Sequence, residues 1–248
     1  MGLFQKIKAF RAQRQQSAVE KNQKNLQNAK AIREDRVAAI EFFCAHKDPA
    51  IAIPALLKRF AFSLDHGIYD AREKESAFEG ILAYGAAALP IVRDHVYTTS
   101  LIAWPLKIIE RLATPTEMVE ILEGCLDYTD VSLDPDQTDK NYDILCHLRD
   151  YPLQNPHEKM LPFLQAHDER IRYAAAEALT HQPYSLEITK ILEKFLTDHS
   201  AENTRLHQIV LDAYVEQKWK VVEPERLIKA GLPFGLFITP EGVLAVRG

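Results

Sequence analysis

Residues 168–179 read Asp-Glu-Arg-Ile-Arg-Tyr-Ala-Ala-Ala-Glu-Ala-Leu. Ala, Glu, Arg and Leu are strong helix formers, so an α-helix is expected here. Near its end one acidic residue, Glu177, stands among apolar neighbours. The same mark recurs in Ile40-Glu41-Phe42-Phe43, Phe78-Glu79-Gly80-Ile81, Ile109-Glu110-Arg111-Leu112 and Leu211-Asp212-Ala213-Tyr214. Leu145-Cys146-His147-Leu148 fills the remaining place with Cys instead of the acid. The six marks are separated by 38, 31, 36, 31 and 35 residues. That is the period of a two-helix repeat.

A second mark follows each of the first five by 10 to 16 residues. It reads apolar-Pro-apolar-apolar in Ile53-Pro54-Ala55-Leu56, Leu89-Pro90-Ile91-Val92 and Leu161-Pro162-Phe163-Leu164. Val119-Glu120-Ile121-Leu122 and Thr189-Lys190-Ile191-Leu192 are versions without Pro. Pro is tolerated in a helix's first turn, where no intrahelical bond is lost. Each unit is therefore expected to be a helix A, a short turn, and a helix B with Pro near its start. Lys47-Asp48-Pro49, Thr114-Pro115-Thr116 and Gln182-Pro183 supply turn residues. Such helices hide their apolar faces by stacking on neighbouring units.

The segment 168–179 resembles the first helix of a HEAT repeat, of the kind called phycobilisome-lyase-like. That pattern has an Asp opening the helix, then Val/Ile-Arg, then Ala-x-x-Ala-Leu. The resemblance implies an all-α fold, a right-handed α-α superhelix of the HEAT/armadillo type. It also implies that Asp168 caps the turn and that Arg172 reaches neighbouring backbone or carboxylates. It covers roughly residues 30–217; outside 168–179 it rests on spacing and apolar positions, with no comparable Ile-Arg pair.

Two stretches are expected to interrupt the repeat: residues 63–76, lengthening one connection, and residues 127–141, an acidic loop. In the tail, Leu236-Phe237-Ile238 and Val243-Leu244-Ala245-Val246 flank Thr239-Pro240-Glu241-Gly242. That predicts a small C-terminal β-hairpin capping the last repeat. The expected organisation is a basic leader helix over 1–29, a solenoid over 30–217 and a cap over 218–248.

The leader stands apart by charge. Residues 1–36 hold nine Lys/Arg and three Asp/Glu, a net +6, whereas the remainder carries −11. Leu3, Phe4, Ile7 and Phe10 follow helical spacing beside Lys6, Lys8 and Arg11, and the run to Asn28 is mostly polar. A helix polar all round is loosely attached or held by a partner. One reading packs its apolar tip on the body; the other rests it on an anionic membrane surface. Met1-Gly2 is not a myristoylation signal, because Lys6 stands where Ser or Thr is needed.

Several chemistries are excluded by pattern. No run of about 18 apolar residues is available for a membrane span, and no apolar core follows the N-terminus as in a secretory signal. Cys44, Cys125 and Cys146 are odd in number and lack CxxC spacing, so they read as reduced thiols of a cytoplasmic protein. The nine His form no HxxxH pair, and no metal or cofactor is expected. One His-Glu pair, His157-Glu158, falls short of the several that di-iron HEAT hydroxylases carry. Asp134, Asp136 and Thr138 have EF-hand spacing, but Asp139 replaces the required Gly and Leu145 the closing Glu. Gly-x-Ser-x-Gly and Gly-rich phosphate loops are absent. The acidic body opposes nucleic-acid tracking.

What remains is a non-enzymatic scaffold that binds a protein or peptide along its B helices. The rival is a HEAT enzyme of the phycobilin-lyase or DNA-glycosylase kind. Leu56, Leu57, Phe60, Leu89, Val92, Leu161 and Leu164 are expected to face the core. By helical spacing Lys58, Arg59, Arg93, Asp94, Glu123, Gln165, His167 and Lys194 then face outward as the candidate binding surface.

Overall fold

A computed structural model describes residues 3–129, 134–197, 203–232 and 235–247. Met1-Gly2, Asp130 and the side chains of Leu3, Phe4, Lys6, Ile7 and Arg11 lie outside the described residues. The fold is all-α with a small C-terminal β-hairpin. Its contacts divide the chain into two units, residues 1–118 and 119–248.

The first unit holds α1 (Leu3–Gln27), α2 (Arg33–Cys44), α3 (Pro49–Leu57), α4 (Gly67–Leu82), α5 (Ala88–Thr98) and α6 (Ala103–Leu112), and α7 (Pro115–Cys125) begins in it. The second holds α8 (Pro135–Leu148), α9 (Pro156–Leu164), α10 (Glu169–Thr180), α11 (Leu186–Leu192), α12 (Thr204–Glu216) and α13 (Pro224–Ala230). It ends with β1 (Leu236–Ile238) and β2 (Leu244–Val246). Each acid mark falls near the end of one A helix, α2, α4, α6, α8, α10 or α12, and each second mark falls in a B helix, α3, α5, α7, α9 or α11. Within each unit A packs on the next A (α2 on α4, α4 on α6; α8 on α10, α10 on α12) and B on the next B (α3 on α5; α9 on α11).

Three positions relative to the mark hold successive units together. Five residues before it, a polar side chain grips the turn that precedes its own helix. Arg172 Nη1 donates to the carbonyls of Ala166 and His167, both at 2.8 Å. Arg36 likewise donates to the carbonyls of Ala31 and Ala29, so an arginine equivalent to Arg172 does exist in another unit, without the preceding Ile. Asn141 accepts from Asp127 N–H at 3.0 Å and donates to its carbonyl at 2.9 Å.

Five residues after the mark, a side chain donates to the end of the preceding A helix. Tyr84 reaches the carbonyls of Phe43 and His46, Gln182 that of Tyr151, and Gln217 that of Thr180. Seven residues before it, Arg170 and Arg205 lie over Tyr142 and Tyr173 of the preceding A helix at 5.7 and 4.9 Å from the ring centroids. Four of the six marks, Glu41, Glu79, Glu110 and Asp212, are exposed, while Cys146 and Glu177 are half-buried.

Helix starts differ from the sequence expectation. Pro54 and Pro162 sit inside α3 and α9, while Pro49 and Pro156 occupy the first turns. Both interior prolines are exposed, so the carbonyls they leave unbonded, of Ala50 and Glu158, are on a solvated side. Asp48, Asp134 and Asp168 cap α3, α8 and α10 through their carboxylates. Thr114 and Glu117 form a reciprocal cap on α7. Residues 63–76 are not a long connection, because α4 starts at Gly67; likewise α8 takes 135–141 out of the acidic loop.

The leader packs on the body through its rear half. Val19 and Leu26 are buried and α1 packs on α2 and α3, whereas Phe10 is 59 % exposed. The hairpin pairs Leu236 with Val246, Phe237 with Ala245 and Ile238 with Leu244. Gly242, at φ 82°, makes its turn. Buried Leu244 sits in β2, which packs on α12, so the hairpin covers the last A helix.

Candidate functional site

The outward side of the B helices is where the eight predicted residues were placed. Lys58, Arg93, Asp94, Gln165, His167 and Lys194 are exposed there and Glu123 is half-buried. Arg59 is the exception, with 0 % of its surface exposed. Beyond Leu57 the helix tightens into a 3-10 turn over Lys58–Ala61. Position 59 lies three residues beyond buried Leu56 and four beyond buried Ala55, so it continues the buried face of α3, while Lys58 falls on the opposite side.

Arg59 enters a buried charge cluster. Its Nε donates to Glu73 at 2.9 Å and its Nη2 to Asp70 at 2.7 Å. Arg36 grips the same Glu73 with two bonds of 3.0 Å. Lys74, the residue five before its mark, pairs with Asp70 at 2.8 Å. Burial pushes the Asp70 carboxyl up, but hydrogen bonds from Lys74 and Arg59 outweigh it and hold the group below its usual range. The cluster is structural: it pins the connection over 62–66 to α4, and Leu64 N–H also donates to Asp70.

The other predicted residues divide by unit. In the first, Arg93 pairs with its neighbour Asp94 at 3.0 Å, both well exposed; such a pair contributes about 0–1 kcal/mol. In the second, Glu123 pairs with Lys159. Lys194 lines a cleft of about 240 Å³ with Lys190, Glu193, Glu223 and Arg226. There the buried Glu193 is committed to structure, accepting from Val222 and Glu223 N–H at 2.6 and 2.8 Å.

Gln165 and His167 line the larger cleft, of about 290 Å³, set among α8, α9 and α10. Sequence reasoning missed its remaining walls: Tyr128, Thr138, Asn141 and Phe163. Tyr128 and Phe163 lie 5.2 Å apart, centroid to centroid. Asn141 shares its place in the unit with Arg172, and that equivalence was the signal available. Leu161, expected in the core, is 38 % exposed instead. The buried stripe of α9 runs through Met160, Phe163 and Leu164, and Leu161 falls beside it.

Chemically the cleft offers amides, hydroxyls and two rings. Its one carboxylate, Asp168, is raised by burial but lowered further by Arg170's hydrogen bonds, so it stays ionised and acts as a helix cap. Burial pushes the Cys125 thiol up to about 11, and raises Cys44 and Cys146 too. At neutral pH all three are thiols, not thiolate nucleophiles. Among the described residues no three His, Cys, Asp or Glu gather as a metal site, and no helix is long and apolar enough to cross a membrane. The two tryptophans belong to aromatic packing: Trp219 is buried against Tyr214, and Trp104 stacks on Phe60 at 5.5 Å. Comparison with protein-family models, curated proteins and solved structures found no match.

Proposed function

We propose that this chain is a non-enzymatic, cytoplasmic scaffold of HEAT-like repeats that takes a protein segment on the B-helix side of its second unit. The observation that carries the reading is the 290 Å³ cleft and its surroundings. A partner side chain fits against Tyr128 and Phe163, while Thr138, Gln165 and His167 line the same cleft with polar groups. Tyr128, Leu161 and Leu186 are exposed on the same unit. The three free thiols support a reducing compartment.

The test is photo-crosslinking in cells from benzoylphenylalanine placed at Gln165, with Arg93 as the comparison position. A discrete protein adduct from position 165, reduced at least fivefold by Tyr128→Ala, supports the reading. Equal adducts from both positions, or none, remove it. Retention of a bilin or of DNA by the purified chain favours the enzyme alternative.

The leader supports a second contact, with an anionic membrane surface. Every described side chain of α1 from Gln5 to Ser17 is exposed, Phe10 among them, and the segment before Glu20 has no acidic residue. Deleting residues 1–12 is expected to abolish co-sedimentation with phosphatidylglycerol vesicles; undiminished binding rejects this contact.

A further inference from the structure

The A helices of the first unit carry another surface, separate from the B-helix cleft. Between α2 and α4 lies a depression of about 220 Å³ whose lining includes Arg33, Glu41, Tyr69 and Arg72. The Arg33 guanidinium lies 4.2 Å from the Tyr69 ring centroid, and His66 stacks on the same ring at 4.1 Å. That contact lies at the starts of the two helices, where Ile32 and Ile68 immediately precede Arg33 and Tyr69 in the chain. The two isoleucines are 63 % and 62 % exposed.

The charges here are uncommitted. Arg33 and Arg72 are exposed, and among the described residues neither guanidinium makes an ion pair or a hydrogen bond. Glu73 lines the depression too, but Arg36 and Arg59 already saturate its oxygens. Glu41 offsets one of the two free cations, leaving an excess of one positive charge in a body that is otherwise acidic.

We infer that this depression docks an acidic, apolar peptide segment of a protein partner. A carboxylate of the segment meets the guanidiniums of Arg33 and Arg72, and an aliphatic neighbour lies over Ile32 and Ile68. One surplus positive charge matches a carboxylate better than a dianionic phosphate. The isoleucines ask for an apolar residue next to it, which a free anion lacks. An arginine resting 4.2 Å from a ring centroid is already partly ordered, so less freedom is lost when it binds a carboxylate.

Fluorescence anisotropy of the full chain tests this, using an array of labelled hexapeptides that place Glu or Asp beside Ile, Leu or Phe. Saturable binding is expected, with affinity falling about tenfold when Gln or Asn replaces the acid, the scale of one charge-assisted hydrogen bond. Arg33→Ala and Arg72→Ala should each weaken it about tenfold with helicity and melting unchanged. Glu41→Gln should strengthen it, and the distant exposed Arg111→Ala should change nothing. Three results overturn the inference: no saturable binding across the array at millimolar protein, equal binding of amide peptides, or binding indifferent to both arginine variants. Phosphatidylglycerol vesicles provide the remaining arm; vesicle binding lost in the same variants, with peptides ignored, assigns the arginines to lipid and also overturns it.

Discussion

Arg59 and Lys58 are neighbours with opposite fates, because position 59 continues the buried face of α3 through Ala55 and Leu56 and position 58 does not. Removing one partner of a buried, hydrogen-bonded charge cluster leaves the others uncompensated, so Arg59→Ala is expected to cost about 3–5 kcal/mol. Lys58→Ala should stay within about 0.5 kcal/mol; urea unfolding of the two variants compares them directly. Asp70 gives the cluster a pH dependence. Its folded carboxyl binds a proton less readily than an ordinary Asp, near 3.9. The stability it supplies is therefore complete above that value and is lost as pH falls through the lower, folded one. Asp70→Asn should flatten the acid limb of the stability profile between about pH 5 and 2; a limb as steep as wild type contradicts this. The inward turn of position 59 follows from its spacing to Leu56, but its partners were not legible, since no pattern in the sequence brings Asp70 and Glu73 to it. Asp168 and Arg172, by contrast, stand where the repeat pattern put them, cap and turn-grip both present in the geometry.

At the scale of elements, close approach of α2 and α4 depends on Gly80. A Cβ there would overlap Cys44 Sγ, while Leu56 at 3.5 Å would be in ordinary contact. Gly80→Ala is expected to destabilise by about 1–3 kcal/mol through overpacking, and Cys44→Ala in the same chain should recover much of it. Additive losses in that double variant would mean the clash is not the cause. A different helix contact predicts reactivity: Cys125 in α7 titrates near 11, so iodoacetamide at pH 8 should modify it far more slowly in the folded than in the urea-unfolded chain, read by mass spectrometry. Helix ends were harder to read than helix existence. Apolar periodicity placed every A and B helix, but the polar first turns of α4 and α8 carry no such stripe and were read as loop. Proline misled similarly, because an interior Pro on a wet face costs less than the usual rule implies.

For the molecule as a whole, the sequence period carried the architecture because each unit must solve the same burial problem. It did not carry the binding surface, since outward positions are constrained by nothing periodic; six of eight assigned residues are exposed, yet only Gln165 and His167 share the larger cleft. The C-terminal cap answers a different need, covering the last A helix. Ending the chain after residue 217 removes Trp219, Leu227 and Leu244, all buried. At about 1.5–3 kcal/mol for each large apolar side chain taken from water, the second unit should melt at markedly lower temperature by circular dichroism; an unchanged melting curve would show the cap to be dispensable. The rungs between units have a consequence of their own. Tyr84, Gln182 and Gln217 all deliver their bonds to main-chain carbonyls, groups that every residue type possesses. A donor of that sort places no demand on the side chains of the unit below. Copies can thus be spliced in, lost or allowed to diverge by gene duplication and the joint still closes, which leaves the chain's length open to evolution while its stacking rule stays fixed.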